Sequence, residues 1–466
     1  MVMKYTTKIP PVLGVILGCV LYELGTTSLY LYQPYVLPTV LRFGGLFAIL
    51  YFAFKSPRTK LHGDISVVFR FLILWSIFMV LRGPFIGNFR PESESFSDVV
   101  RIAFIDRYGD ITYFFPLFAL LSLRLDSLYY FRRIAIVMSV FFIILIILNR
   151  GQIMAGMLTM GRTDLVDFAG EPITVRDLVD AAFPGFGLMV FMLMCYGYIK
   201  GKLTAFLPIS LLLYSLCYAI GGGRGKTVFS LIYFIFFLFL LFKFPVLKER
   251  GIKKRSLKSL LGKTKILLIL GLLIGGIIYL FNETPVFDVL LQHAFGGRDF
   301  EGGEWNDNRG GISNDFIKDF NADPLSWIIG RGVNGSFLTN YYEHGEHRVY
   351  MEWGFLYLIL KGGVVYLMLY IYCMLHAAYK GLFHSNNSFS KGLSFMCIFI
   401  IMNMISTGAN PQFSTLYILA WISFGLVERK EVRELKDSEI YNLFNIKNSS
   451  RINKKIVNSV TTDYNK

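Results

Sequence analysis

Apolar blocks long enough, with their flanks, to cross a lipid bilayer recur along most of this 466-residue chain. Crossing about 30 Å of hydrocarbon takes roughly 17–25 helical residues. We place the apolar centres at residues 9–31, 35–54, 66–82, 109–122, 134–148, 181–198, 203–220, 227–242, 266–281, 356–378, 393–406 and 413–427. This pattern predicts an all-α, polytopic membrane protein with about twelve transmembrane helices.

The composition supports the same class. Charged residues make up 17% of the chain, whereas soluble domains carry about 25%. The net charge of +15 would suit a nucleic-acid binder, but many of the basic residues lie in short clusters between apolar blocks, so we predict no nucleic-acid partner. The five cysteines all lie within apolar blocks and lack metal-type spacing. They predict neither a disulfide framework nor a metal site.

The basic clusters also orient the chain. They fall in every second loop, and the strongest occupies residues 248–265. Since cytoplasmic loops carry an excess of Lys and Arg, both termini are predicted to be cytoplasmic. The predicted organisation is helices 1–9 at residues 1–281, a large external loop at 282–350, helices 10–12 at 351–427 and a tail at 428–466. The tail is mixed in charge and Asn-rich, which is typical of a solvated or partly disordered extension.

The loops on the opposite side carry arginine in preference to lysine. The planar guanidinium can bind phosphate oxygens through two donors and stays charged at any working pH. A long polar loop between spans, rich in arginine, therefore indicates a reaction or recognition site at the membrane surface. The alternative is pairing with nearby acids such as Asp98, Asp106, Asp164, Asp167 and Asp177. The arginines are Arg90, Arg101, Arg107, Arg150, Arg162, Arg176, Arg224, Arg298, Arg309, Arg331 and Arg348.

Residues 221–227, GGGRGKT, resemble a phosphate-binding P-loop only superficially. The pattern G-x-x-x-x-G-K-[ST] needs glycine where this chain has Ile220, and no strand precedes the segment. The alternative is a tight external turn between two spans that brings Arg224 to the membrane face. Backbone N–H groups in such a turn can also meet an anion.

Three segments together resemble the O-antigen polymerases and O-antigen ligases. They are the Gly-Arg-Gly turn at 223–225, the loop from Arg309 through NDFIK at 314–318 to PLSWIIGRG at 324–332, and the loop end from His347 to KGG at 361–363. In that family an arginine is followed by an amphipathic helix and a Pro-Leu…Gly-x-Gly turn. The resemblance implies transfer of a glycan from undecaprenyl pyrophosphate to an acceptor sugar hydroxyl. The reaction takes place on the outer side of the bacterial inner membrane, without a nucleotide sugar or cofactor.

The same resemblance implies roles for individual residues. Arg224, Arg309 and Arg348 match the family's anion-binding arginines by position. The nearest match for the catalytic base is His347, although the ligase histidine is usually followed by Asn rather than by arginine. Departure of pyrophosphate develops negative charge that guanidinium groups stabilise, and a histidine near neutral pH can accept the acceptor proton. Further candidates are Arg331 and Arg298 for pyrophosphate, and His344 and Glu352 for the base.

Simpler interpretations stand beside these. His344 and His347 could be a solvated pair beside Glu343 and Glu346. Lys361 could extend along the helix to reach water. Glu23, within the first span, could be either a packing partner or part of a substrate pathway.

Two classes of function follow. The first is a glycan-assembly enzyme, most simply a polymerase of repeat units, with a ligase as the close alternative. Its partners would be the lipid-linked oligosaccharide, membrane lipid and, as an optional addition, a chain-length regulator. The second is a transporter or lipid-linked glycan flippase, which would show repeated halves and charges within several spans. The chain shows no internal repeat and concentrates its charges in one loop, which favours the enzyme.

Overall fold

A computed structural model of the protein describes most of the chain. The described residues are 10–31, 36–85, 109–121, 123, 127–158, 162–166, 172–199, 202–220, 224–243, 308–339, 346–351, 353–406 and 411–445. The predicted ninth span, residues 266–281, lies outside them.

The described chain is mostly helical. Its α-helices are α1 (Pro11–Leu31), α2 (Val36–Lys55), α3 (Asp64–Phe85), α4 (Leu128–Leu148), α5 (Arg150–Leu158), α6 (Val175–Ala182), α7 (Phe186–Met194), α8 (Phe206–Ile220), α9 (Arg224–Lys243), α10 (Asn308–Ala322), α11 (Pro324–Ile329), α12 (Gly354–Phe383), α13 (Ser388–Ser406), α14 (Thr415–Glu428), α15 (Lys430–Glu434) and α16 (Asp437–Asn445). Three segments are 3-10 helices: Asp110–Leu120, Tyr196–Tyr198 and Lys202–Ala205. Strand β1 (Arg162–Val166) pairs antiparallel with β2 (Pro172–Thr174), and β3 (Phe337–Thr339) pairs antiparallel with β4 (Glu346–Arg348).

Five helices within the described ranges are long and apolar enough to cross a membrane. They are Val36–Lys55, Asp64–Arg82, Leu128–Leu148, Lys202–Ile220 and Gly354–Phe383. Shorter apolar helices occupy Pro11–Thr26, Asp110–Leu120, Lys226–Leu240, Ser388–Met404 and Thr415–Glu428. The expectation of a helical membrane protein is therefore supported by the structure, while the total of twelve spans and the large external loop stay predictions.

Two predicted spans differ from simple α-helices. The fourth is the 3-10 helix Asp110–Leu120, which contains Pro116. Proline has no N–H for an intrahelical bond and its ring crowds the preceding turn. The sixth is interrupted between α6 and α7, where Gly185 has a φ of 83°. Left-handed backbone of this kind ends a helix and favours glycine, so the apolar block at 181–198 is not one continuous helix.

Close helix packing explains several glycines in the first two spans. A Cβ on Gly18 would lie 2.8 Å from the carbonyl oxygen of Gly45, and a Cβ on Gly45 would lie 2.6 Å from the carbonyl oxygen of Gly18. The backbones of α1 and α2 therefore meet where side chains are absent. Small residues allow this approach between membrane helices. In the second half of the chain, α12 packs against α3, α13 and α14.

Glu23 on α1 joins the starts of two other helices. Its Oε2 accepts a hydrogen bond from the backbone N–H of Gly185 at 2.6 Å, immediately before α7. Its Oε1 accepts from the backbone N–H of Thr415 at 2.6 Å and from the Thr415 hydroxyl at 3.1 Å, at the start of α14. Helix N-termini present unpaired N–H groups and a partial positive charge. Of the two sequence interpretations, the structure supports the packing partner.

Beyond the last apolar helix, the chain folds back onto the helix ends. The side-chain amide of Asn387 donates to the carbonyls of Val432, Arg433 and Leu435 at 2.8–3.1 Å. Asp437 accepts from the Ser388 backbone N–H at 2.8 Å, and the fully buried ring of Phe444 stacks on Tyr198. The prediction of partial disorder is therefore wrong for residues 430–445, whereas several of their side chains are exposed to solvent, as predicted. Residues 446–466 lie outside the described ranges.

Candidate functional site

Helix α12 is broken at Gly363, where φ is 70° and ψ is −179°. This backbone region is essentially restricted to glycine. A Cβ on Gly363 would lie 2.0 Å from the carbonyl oxygen of Ile328. Gly330, with a φ of 68°, faces the same point, because its own Cβ would lie 2.5 Å from the backbone nitrogen of Gly363. The Gly-x-Gly turn after α11 is thus inserted directly into the break of a long membrane helix.

The carbonyls at the break accept hydrogen bonds from outside α12. The N–H of Arg331 donates to the Leu360 carbonyl at 2.8 Å, and the N–H of Gly332 donates to the Lys361 carbonyl at 2.9 Å. The indole Nε1 of Trp75 donates to the Gly362 carbonyl at 2.8 Å. Backbone groups within a membrane need such partners. We call this contact between the turn at 329–335, the break at 360–363 and α3 the junction.

Helix α3 completes the junction with a cation and a carbonyl. The Arg82 guanidinium donates to the carbonyl oxygens of Ile329, at 3.3 Å, and Gly330. The Met79 carbonyl accepts from the Val333 N–H at 3.3 Å. From the sequence alone, Arg82 was predicted only to end the third span. No local pattern marks a contact between residues separated by 248 positions.

Arg331 lies inside the loop, with 5% of its surface exposed. Its guanidinium donates to the carboxylate of Asp319, to the Ser336 carbonyl at 2.8 Å and to the Ser326 hydroxyl at 3.2 Å. It also lies over the Phe320 ring, 4.5 Å from the centroid. These contacts join α10, α11 and the segment before β3. The structure therefore assigns Arg331 a stabilising role in the loop, and direct binding of pyrophosphate by Arg331 stays a prediction.

Lys361 is a second buried cation at the junction, with 2% of its surface exposed. Its Nζ donates to the Gly335 carbonyl at 2.8 Å and lies 5.4 Å from the centroid of the Tyr357 ring. The interpretation that this side chain extends to water is therefore wrong. Lys361 and Arg331 bind the adjacent carbonyls of Gly335 and Ser336, so two cations fix the segment that leads into β3.

The predicted base His347 lies on strand β4, opposite Leu338 of β3. Its side chain is exposed, and its Nδ1 lies 3.4 Å from the hydroxyl oxygen of the buried Ser336. In the tautomer that donates from Nδ1 to this hydroxyl, Nε2 is the unprotonated nitrogen that can accept a proton. Arg348 follows on the same strand, opposite Phe337. His347 and Arg348 are consecutive residues of this short strand beside the junction, so their side chains lie on opposite faces of it.

Two carboxylates on α10 hold strand β3 in place. Asp319 accepts from the Leu338 N–H at 3.2 Å, in addition to its pairing with Arg331. Asp315 accepts from the Thr339 hydroxyl at 2.9 Å. The four-residue spacing of these acids places them on one face of the helix. That spacing was visible in the sequence and could have marked both residues as part of the site.

For two further predicted arginines, the structure describes only the position on a helix. Arg224 is the first residue of α9, and Arg309 lies in the first turn of α10. Arg298, His344 and Glu352 lie outside the described residues. Whether these arginines converge on Arg348 therefore stays a prediction.

Two residues after Arg224, the first turn of α9 forms an ion pair with α6. Lys226 Nζ lies 2.6 Å from Asp180 Oδ2 and 2.7 Å from the Tyr218 hydroxyl. The Tyr214 hydroxyl donates to Asp180 Oδ1 at 3.1 Å. Lys226 is thus held by an acid of α6. A different acid, Asp177, was considered as an arginine partner and instead forms a capping box with Thr174 at the start of α6.

Helix lengths place the junction relative to the bilayer. At 1.5 Å per residue, Lys361 lies about 28 Å along α12 from Lys380, and Arg82 lies about 27 Å along α3 from Asp64. Both distances approach the roughly 30 Å thickness of a hydrocarbon core. From the junction, each of these two helices therefore extends for close to one hydrocarbon thickness.

No group of three or more potential metal ligands occurs among the residues that the structure describes. Comparison with protein-family models, curated proteins and solved structures finds no match to this chain.

Proposed function

We propose that this protein polymerises oligosaccharide repeat units carried on undecaprenyl pyrophosphate, on the outer side of the bacterial inner membrane. The product is a surface polysaccharide such as O-antigen or capsule. The observation that carries the proposal is the junction: a turn of the loop inserts into the break of a long apolar helix, beside the strand of His347 and Arg348. The three segments that resemble O-antigen polymerases and ligases include both partners of this contact.

The proposed reaction is a displacement at the anomeric carbon of the lipid-linked sugar. The acceptor hydroxyl oxygen forms a bond to that carbon while the bond from the carbon to the pyrophosphate oxygen breaks. His347 accepts the hydroxyl proton through Nε2, and the pyrophosphate leaves with its negative charge on the lipid carrier. A positioned base and preset cations are the two contributions this step requires.

Arg348 would bind the leaving pyrophosphate, together with Arg309 and Arg224. A guanidinium can present two donors to one phosphate group. Arg331 and Lys361 would instead act indirectly, since both bind backbone carbonyls immediately before β3. Through Ser336 they orient the ring of His347. Arg298, His344 and Glu352 remain additional candidates.

The proposal is tested by deleting the gene and separating the surface glycans and the lipid-linked glycans by gel electrophoresis. A polymerase deletion leaves surface glycan attached but only one repeat unit long. Long chains that persist on the lipid carrier would contradict the polymerase and favour a ligase. Single units trapped on the cytoplasmic face would contradict both enzymes and favour a flippase.

Complementation then tests the site. We expect His347→Ala to leave the one-repeat pattern in place at normal protein level, whereas Lys318→Ala, at an exposed position of α10, restores full-length chains. Equal chain length for both variants would remove His347 from the reaction.

A further inference from the structure

Helix α11 has an apolar face that the described residues do not cover. Leu325 and Ile328 are 56% and 54% exposed, and their three-residue spacing places them on one side of the helix. Ser326 is fully buried, and Trp327 packs edge-to-face against Phe316 and Phe320. The helix therefore has one side packed in the loop and a second side that presents large aliphatic groups.

The preceding helix α10 has a different outer surface. Its exposed positions are mostly polar, namely Asn314, Lys318 and Asn321, with one large aliphatic residue, Ile317, at 41% exposure. The change from polar to aliphatic exposed residues occurs within a few positions, where α10 ends and α11 begins. A change from water around α10 to lipid around α11 would explain this difference in exposed residues.

The depth of α11 indicates which solvent it meets. Ile328 contacts Gly363 through its carbonyl, and Gly363 lies about 25 Å along α12 from Lys380, inside a hydrocarbon core of about 30 Å. Arg82, which binds the end of α11, follows Leu81, whose side chain is 58% exposed on the membrane helix α3. The end of α11 thus lies beside an exposed apolar position of a helix that is long enough to span a membrane.

We propose that α11 is a membrane-inserted segment, with Leu325 and Ile328 in contact with the acyl chains of the leaflet on the loop side. The bilayer then acts as a partner of the loop and fixes the height of the junction relative to the lipid phosphates. This inference is independent of the chemistry proposed for the site. Aliphatic side chains on a short interfacial helix gain by burial in acyl chains.

Nitroxide labels on reconstituted full-length protein test the inference. Leu325→Cys and Ile328→Cys are compared with Lys318→Cys, the aqueous reference, and Leu81→Cys, the lipid reference, in vesicles of phosphatidylethanolamine and phosphatidylglycerol. The unsubstituted protein, whose five cysteines are buried, provides the background spectrum. Collision rates with oxygen, which concentrates in lipid, and with a water-soluble nickel chelate are measured by EPR.

We expect the labels at 325 and 328 to match Leu81→Cys, with an oxygen-to-nickel collision ratio at least several-fold above that of Lys318→Cys. A ratio equal to that of Lys318→Cys would overturn the inference, because α11 would then face water. Low collision rates with both reagents would also overturn it, because protein, such as a second copy of the chain, would cover this face.

Discussion

Replacing Gly363 by alanine should separate the loop from the membrane helix. The residue would have to keep a backbone conformation that costs on the order of 1–3 kcal/mol without glycine. The new methyl carbon would also lie 2.0 Å from the Ile328 carbonyl oxygen, a backbone atom that cannot rotate away. The turn must therefore withdraw. Two loop-to-break hydrogen bonds, from Arg331 and Gly332, would be lost, each contributing about 1 kcal/mol.

These contributions add to a predicted loss of about 3–5 kcal/mol in the free energy of unfolding. The matched control is Gly44→Ala on α2, where a Cβ meets no atom within 4 Å. There we expect a change within about 1 kcal/mol, since alanine suits a helix better than glycine. Unfolding of the purified full-length proteins in mixed micelles, followed by circular dichroism, measures both. Cleavage within the loop by a dilute protease reports its release separately.

In cells, Gly363→Ala should shorten the glycan even where the protein level is maintained, because His347 and Arg348 depend on the docked turn. If Gly363→Ala unfolds at the same denaturant concentration as Gly44→Ala and resists protease equally, the junction does not hold the loop, and the reasoning fails.

Three further outcomes are expected. Arg348→Ala should abolish chain elongation at normal protein level and Arg348→Lys should restore it poorly, because a point charge cannot reproduce two parallel donors; full elongation with alanine, read from glycan gels, would reject its role. Glu23→Gln should lower the free energy of unfolding by about 1–3 kcal/mol, because charge-assisted bonds to two helix starts are weakened; an unchanged denaturation midpoint would contradict this. A cysteine at Ser313 should react with an impermeant maleimide in intact cells while one at Ser256 does not, as the alternation of basic loops requires; labelling of Ser256 alone would reverse the orientation.

The sequence predicted the helical elements of the site better than their contacts. Apolar length was enough to place α3 and α12, and the family resemblance anticipated the helix and the Gly-x-Gly turn at 324–332. The insertion of that turn into α12 was not predicted, because an apolar run has the same hydrophobic pattern whether or not its helix is broken. Gly330 and Gly363 indicate a close backbone contact only when they are considered together, and that requires knowing that the two segments meet.

The sequence also did not predict which charged side chains are buried. Lys361 and Arg331 were interpreted from their side-chain chemistry, as a snorkelling lysine and a phosphate-binding arginine. Their actual partners include the backbone carbonyls of Gly335 and Ser336. Every residue has a backbone carbonyl, so residue identity cannot indicate such a partner. The folded tail was missed for a simpler reason. Ile440 and Phe444, four residues apart and fully buried, formed an apolar pair that the overall polarity of the segment concealed.

The carboxylate of Glu23 has a consequence for biogenesis. Ribosomes synthesise α1 long before α14, because Thr415, one of the two partners of Glu23, lies 392 residues downstream. A carboxylate at the centre of a lone helix costs about 2.5–3.5 kcal/mol on insertion scales. Until Thr415 has been synthesised, the carboxylate of Glu23 must therefore be solvated by lipid headgroups, by water or by the insertion machinery. Glu23 gains its complete set of protein partners only when α14 has been synthesised and packs against α1.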